Sequence, residues 1–107
     1  MREAGIENGA VIRAERAGYF TRKVQWPGRK HAPDRVFARD DRGTVWIEFK
    51  APGEEARPGQ LREHKRMRDA GMEVHVCDNL EDALRILWIL PGSNQGPPLD
   101  DDWRTLI

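Results

Sequence analysis

The sequence predicts a single α/β domain, a central mixed β-sheet flanked by helices, with elements in the order α-β-β-β-α-β-α. Three observations lead there. Apolar residues recur at helical spacing in three segments, they alternate in four shorter ones, and turns rich in glycine and proline separate the segments. At 107 residues the chain is long enough for one core but not two. Elements that are apolar on one side only must bury that side in packed layers.

Residues Glu3 to Ala17 read as the first helix: Ile6, Ala10, Val11, Ala14 and Ala17 recur along one side, and Gly18 stands where it ends. Gly9 weakens that helix somewhat. Glu3 and Glu7, four apart, share a face. They fit as ordinary first-turn acids, or as acids that reach a neighbouring site. Tyr19 to Gln25 reads as a strand, with Phe20, Arg22 and Val24 on one side and Thr21, Lys23 and Gln25 on the other. A loop follows from Trp26 to Pro33. Val36 and Phe37 then belong to a strand, Asp40 to Gly43 to a turn, and Thr44 to Lys50 to the returning strand. After the loop Ala51 to Gly59, Pro58 suits the first turn of a helix running to about Ala70, which Gly71 ends. Met72 to Cys77 alternates as a strand, with Val74 and Val76 on one side and Glu73, His75 and Cys77 on the other. Asn79 caps a last helix with Leu80, Ala83, Leu84, Leu87 and Trp88 as its stripe. These elements assign residues 1–90 to the domain. Residues 91–107, rich in proline, glycine and aspartate but carrying Trp103, Leu106 and Ile107, form a tail expected to pack on the domain or on a second subunit.

Composition narrows the class. Hydrophobic residues make up 38% and charged residues 34% of the chain, a polar globular balance. No apolar run approaches a membrane span, and no secretory signal precedes the first helix. The single Cys77 excludes an internal disulfide framework and suits a reducing compartment such as a cytoplasm. Its expected role is a small buried hydrophobe. Formal net charge is +0, yet the halves differ: residues 1–50 carry eleven Lys/Arg against seven Asp/Glu, and residues 51–107 carry seven against eleven. The basic half can turn a positive face to phosphates.

That half also holds the chemistry. On the returning strand Glu48 and Lys50 share one face while Ile47 and Phe49 point the other way. Asp34 stands just before the partner strand, so hairpin pairing brings it to the same end as Glu48. Two carboxylates suit a hard divalent cation, which takes carboxylate, water and phosphate oxygens. Such a cation polarises a phosphodiester and acidifies a bound water, and Lys50 is placed to orient that water or to offset charge on the phosphate. The plain reading of the same residues is a hairpin with an ordinary mixture of charges. Gln60, in the first turn of the second helix, is either a partner for a water or phosphate near Lys50 or an exposed glutamine. The loop before Asp34 offers Trp26 for stacking or wedging, although a tryptophan next to a turn is more often a partly buried anchor, with Arg29, Lys30 and His31 for phosphates. Leu61, His64, Lys65 and Arg68 lie along one side of the second helix, a basic stripe beside the same face.

Pro33-Asp34 followed by Glu48-Phe49-Lys50 resembles the motif of the PD-(D/E)xK nuclease superfamily. Within it the chain resembles the VRR-NUC family, especially its small stand-alone phage and bacterial members. The matching residues are Glu3 with Ile6-Glu7, Gly18 before a strand bearing Lys23, Pro27-Gly28-Arg29 leading into Pro33-Asp34, the run from Val45 to Gly53, Pro58 with Gln60, His64, and Gly71 ahead of Val74. They cover residues 3 to about 85 in order. The resemblance implies a restriction-endonuclease-like core and a metal-dependent endonuclease that hydrolyses phosphodiester bonds in DNA. It implies magnesium or manganese bound by Asp34, Glu48 and the backbone carbonyl of Phe49, with Lys50 as catalytic lysine and Gln60 as the glutamine that follows the motif. The first-helix acid maps onto Glu3, with Glu7 as the alternative. The expected DNA contacts are Lys23, Trp26, Arg29, Lys30, His31, His64 and Arg68.

Stand-alone relatives are associated with branched DNA such as four-way junctions, and with dimers. One site cuts one strand, so symmetric cutting of two strands calls for a twofold homodimer, with the Trp88 helix face and the tail as interface candidates. A non-catalytic module that binds branched DNA or a replication protein, and a nuclease acting on ordinary duplex, are the competing readings. The chain departs from the family at His31, where glycine is usual. Glycine tolerates backbone conformations that histidine resists, so this loop is expected to differ in shape.

Overall fold

The computed structural model describes residues 2–90; the tail expected for 91–107, Trp103 included, lies outside the described residues. The elements are α1 (Glu3–Arg16), β1 (Phe20–Lys23), β2 (Arg35–Arg39), β3 (Gly43–Phe49), α2 (Pro58–Asp69), β4 (Val74–Cys77) and α3 (Leu80–Ile86). Their order is the one the periodicities predict. The sheet runs β1-β2-β3-β4. Its first three strands are antiparallel, and β4 lies parallel to β3, so the sheet is mixed. The parallel pair needs a crossover, and α2 supplies it.

Alternation along the strands divides the sheet into two faces. On one, Phe37, Val45, Ile47, Phe49 and Cys77 are buried beneath Ile6, Ala10 and Ala14 of α1 and Ala83 and Leu84 of α3. The Phe37 ring stands edge-on to Tyr19 and to Phe49, with centroids 6.4 and 6.5 Å away, the arrangement favoured by the charge distribution of aromatic rings. Cys77 is buried here, and burial pushes its thiol up to about 12. Even-numbered positions of β3 face the other way, and there α2 covers the sheet with His64 and Met67 buried.

A turn and a cap show how local chemistry sets the ends. The β2–β3 turn closes with the Arg42 N–H donating to the Arg39 carbonyl at 3.0 Å, and Gly43 takes φ 82, the left-handed conformation that such three-residue turns require. Asn79 caps α3 as expected, its side chain accepting the Asp82 N–H at 2.8 Å. The far end of α3 corrects the expected stripe. The helix stops at Ile86, and Trp88 leaves it with φ 59. The cause lies in the neighbours: the Tyr19 hydroxyl donates to the Leu87 carbonyl, and Arg42 Nε donates to the Ile86 carbonyl at 2.9 Å. Side chains thus take up carbonyls that another helical turn would have used. The Arg42 guanidinium also covers the Trp88 ring, 4.6 Å from its centroid, so this tryptophan presents no helix face. No described helix is long and apolar enough to cross a membrane.

Candidate active site

The β2–β3 register pairs Arg35 with Ile47, which sets Asp34 opposite Glu48 at the mouth of the hairpin. Asp34 Oδ2 accepts the Phe49 N–H at 2.7 Å. The carboxylate thereby occupies the position that the next strand residue would have used. From α1, Glu3 reaches the same place: Glu3, Asp34 and Glu48 each offer a carboxylate oxygen, and the three atoms lie within 4.8 Å of one another.

Glu48 is the most constrained of the three. It is only 3% exposed. Its Oε2 accepts from Gln60 Nε2 at 3.1 Å and stands 3.6 Å from Lys50 Nζ, while its Oε1 is buried without a partner among the described residues. Burial, and then the nearby Asp34 charge, push its pKa up to about 7 against the pull of Lys50. A buried carboxylate oxygen without a donor is costly, and a cation between Glu3, Asp34 and Glu48 would satisfy it. The donor set is all oxygen, as a hard divalent ion prefers. The residues present therefore fit such an ion. Phe49 fits as well: in an extended strand the carbonyl leaves on the same flank as the N–H, and the Phe49 N–H points to Asp34.

Lys50 is 8% exposed, with its backbone N–H donating to the Cys77 carbonyl at 2.8 Å. β4 thus anchors the end of β3, and the ammonium is held where strand alternation put it. Gln60 is not an idle surface residue. Its Oε1 accepts the Arg57 N–H at 2.8 Å at the start of α2 while its amide reaches Glu48.

The structure separates Glu3 from Glu7. Glu7 lies one helical turn away, where its Oε2 accepts from Lys23 Nζ at 2.7 Å and Arg35 Nε at 2.8 Å. Burial alone would raise its pKa, but Lys23 and Arg35 bring it below the usual value. Glu7 is ion-paired here and stays out of the carboxylate cluster.

The expected DNA contacts divide in the same way. Arg29, Lys30 and His31 are exposed on the loop before Asp34. Lys23 is exposed at 61% of its side chain but already paired with Glu7. Trp26 is half-buried against Trp46, with ring centroids 5.8 Å apart, which favours the partly buried anchor over the open stacking surface. His64 requires a larger correction: it is fully buried, with neither ring nitrogen partnered among the described residues, and so presents nothing to a phosphate. Burial, then the charge of Arg68, lowers its pKa. Arg68 in turn directs Nε and Nη2 to the Val74 carbonyl at 3.1 and 2.7 Å. The basic stripe on α2 is therefore interrupted. Sequence reasoning did not find Arg35, which holds Glu7 in place, or Trp46, which seats Trp26. Strand alternation places Trp46 on the Glu48 face and was the available signal for the second.

The chain is similar to "Putative nuclease p44" of Acyrthosiphon pisum secondary endosymbiont phage 1, with 37% identity over 94 residues, covering 88% of this chain and 97% of that protein. A solved structure described as a VRR_NUC domain superposes with a TM-score of 0.72 at 30% identity, covering 82% of this chain and 96% of the other. No protein-family model matches the sequence. Near-complete coverage of both relatives agrees with the mixed sheet, its flanking helices and the motif residues around Glu48: the chain belongs to the VRR-NUC nuclease family.

Proposed function

We propose that this protein is a magnesium- or manganese-dependent endonuclease that hydrolyses phosphodiester bonds in DNA, selective for branched DNA such as four-way junctions. The observation that carries the reading is the convergence of Glu3, Asp34 and Glu48, with one Glu48 oxygen buried and unpartnered. Asp34, Glu48 and the Phe49 carbonyl hold the ion, with Glu3 completing the acidic wall. When bound, that ion polarises the phosphate and makes a water molecule more acidic. Lys50 orients the attacking water and offsets charge developing on the phosphate. Gln60 fixes the Glu48 carboxylate by one oxygen and leaves the other without a protein donor. Arg29 and Lys30, exposed just before Asp34, bind phosphates on either side of the bond being cut, with Lys23 as a weaker contributor because Glu7 shares its charge.

Branch selectivity is what the resemblance to stand-alone family members supports, and the homodimer rests on stoichiometry. One chain carries one such cluster among its described residues, and matched cuts in two strands require two sites, which a twofold homodimer supplies. The test is cleavage of labelled four-way junction, flap, duplex and single-stranded DNA with magnesium, manganese or EDTA, alongside Lys50→Ala. Metal-dependent cutting that Lys50→Ala abolishes, strongest on the junction, is the expected result. Junction binding without cutting in either metal would replace the enzyme with a binding module. Equal cutting of plain duplex would remove the branch selectivity. A clean monomer in sedimentation at working concentration would remove the dimer.

A further inference from the structure

We propose that His31 is a positioning residue: its ring, seated on Gly59, fixes the loop before Asp34 against the first turn of α2, so that Asp34 and Gln60 reach the Glu48–Phe49 pair together. The proposal rests on the reading of Glu3, Asp34 and Glu48 as a metal site.

Two anomalies in separate parts of the chain explain each other. His31 holds φ 75, in the left-handed region that residues with a Cβ rarely adopt. A side chain stays there only when its surroundings over-determine it. Gly59 is the second residue of α2, where glycine weakens the helix. Its backbone is not in the left-handed region, so conformation gives no reason for it. Space does. A Cβ at Gly59 would stand 2.4 Å from His31 Nε2, 2.8 Å from Cε1 and 2.9 Å from Cδ2. The ring lies flat on the helix where any larger residue would displace it.

Both sides of this contact lead to the carboxylate cluster by short, stiff routes. On the loop side, Ala32 and the buried Pro33 separate His31 from Asp34, and proline with the residue before it has little backbone freedom. Asp34 then accepts the Phe49 N–H at 2.7 Å. On the helix side, Gln60 adjoins Gly59 and donates to Glu48 at 3.1 Å. A loop and a helix that approach the same two residues of β3 from different parts of the chain meet at the ring of His31.

The test uses the full chain with His31→Gly, Gly59→Ala and the double variant, measuring manganese affinity by calorimetry without DNA, then single-turnover cleavage. Glycine accepts φ 75 and alanine suits a helix, so folding is not put at risk; melting curves verify it. Each single variant is expected to bind manganese about tenfold more weakly, as loss of a supporting contact around a metal ligand does. The double variant is expected to be no weaker than the worse single, because both changes remove one contact. Singles within about twofold of the parent, or a double near the product of the two losses, about a hundredfold, would overturn the proposal. So would melting temperatures that shift while manganese affinity does not. If the parent protein neither binds manganese nor cuts, the metal-site reading fails as well; parental binding with unaffected variants removes only the role of His31.

Discussion

Asp34 and Phe49 stand fifteen residues apart, and Asp34 Oδ2 accepts the Phe49 N–H at 2.7 Å. The aspartate therefore prolongs the β2–β3 ladder with its side chain while its carboxylate also belongs to the cluster with Glu3 and Glu48. The two duties can be separated. Asn at this position retains a carbonyl acceptor but loses the charge, so Asp34→Asn is expected to melt within a few degrees of the parent and to cut about a hundredfold more slowly or worse. Asp34→Ala removes the acceptor too and leaves the Phe49 N–H without its partner, at about 1–3 kcal/mol. Thermal melts and single-turnover cleavage of the two variants check this together.

Glu3 and Glu7 should fail in opposite ways. Glu7→Gln leaves Lys23 and Arg35 without their shared carboxylate. Because Lys23 is largely exposed, the expected loss is only about 1–2 kcal/mol, with cleavage within about threefold of the parent once the protein is folded. Glu3→Gln removes a negative charge that disfavours the ionised form of Glu48. Stability should hold or rise while cleavage falls about tenfold or more. Chemical denaturation beside cleavage rates decides it; loss of activity with Glu7→Gln at full stability would reverse the assignment.

Glu48 makes stability and metal affinity depend on pH in a stated direction. Its folded pKa, about 7, lies above its ordinary value of 4.5. The folded protein without metal therefore holds this proton more tightly than the unfolded chain. The resulting stability is fully present below about pH 4.5 and is lost as pH rises through about 7, on the order of 3 kcal/mol in all. A divalent ion competes with the same proton. Melting scans from pH 5 to 8 should show this falling contribution in EDTA, opposed by Glu7, whose lowered pKa gives stability that is lost only toward acid pH. Glu48→Gln should remove the descending part. With limiting manganese, cleavage should rise through pH 7, and saturating manganese should move that rise to lower pH.

Much of this architecture was legible before any coordinates. Element order followed from periodicity because each strand and helix buries one face. The pairing of Asp34 with Glu48 followed from hairpin register, since a period of two leaves few alternatives. Three things were not legible, for physical reasons. Glu3 and Glu7 share a helix face, so spacing cannot say which turn meets the sheet end; the partners Lys23 and Arg35 decide that, from other strands. On α2 the spacing set Leu61, His64, Lys65 and Arg68 along one side as a basic stripe, yet Leu61 is 52% exposed while His64 is fully buried, because spacing along a helix does not say which of its residues face the sheet. The departure at His31 suggested a reshaped loop, yet the histidine takes a glycine-like φ of 75, and only a contact twenty-eight residues downstream with Gly59 shows how the ring is seated.

Salt dependence separates the basic residues around the site, because each phosphate neutralised on duplex DNA contributes about 0.9 to the slope of log affinity against log salt. Arg29 and Lys30 are exposed and, although the Arg29 charge is felt by Glu63, neither side chain is held in a close ion pair among the described residues. Each is therefore available to release a counterion. Lys23 shares its charge with Glu7 at 2.7 Å, and Arg68 is bound to the Val74 carbonyl. Arg29→Ala and Lys30→Ala should each lower the slope by about one at unchanged melting temperature. Lys23→Ala should lower it by less and also cost some stability, because Glu7 loses a partner. Arg68→Ala should leave the slope alone. Binding of a catalytically inert Lys50→Ala background across a salt series measures all four; a loss for Arg68→Ala as large as for Arg29→Ala would return the α2 stripe to the DNA surface.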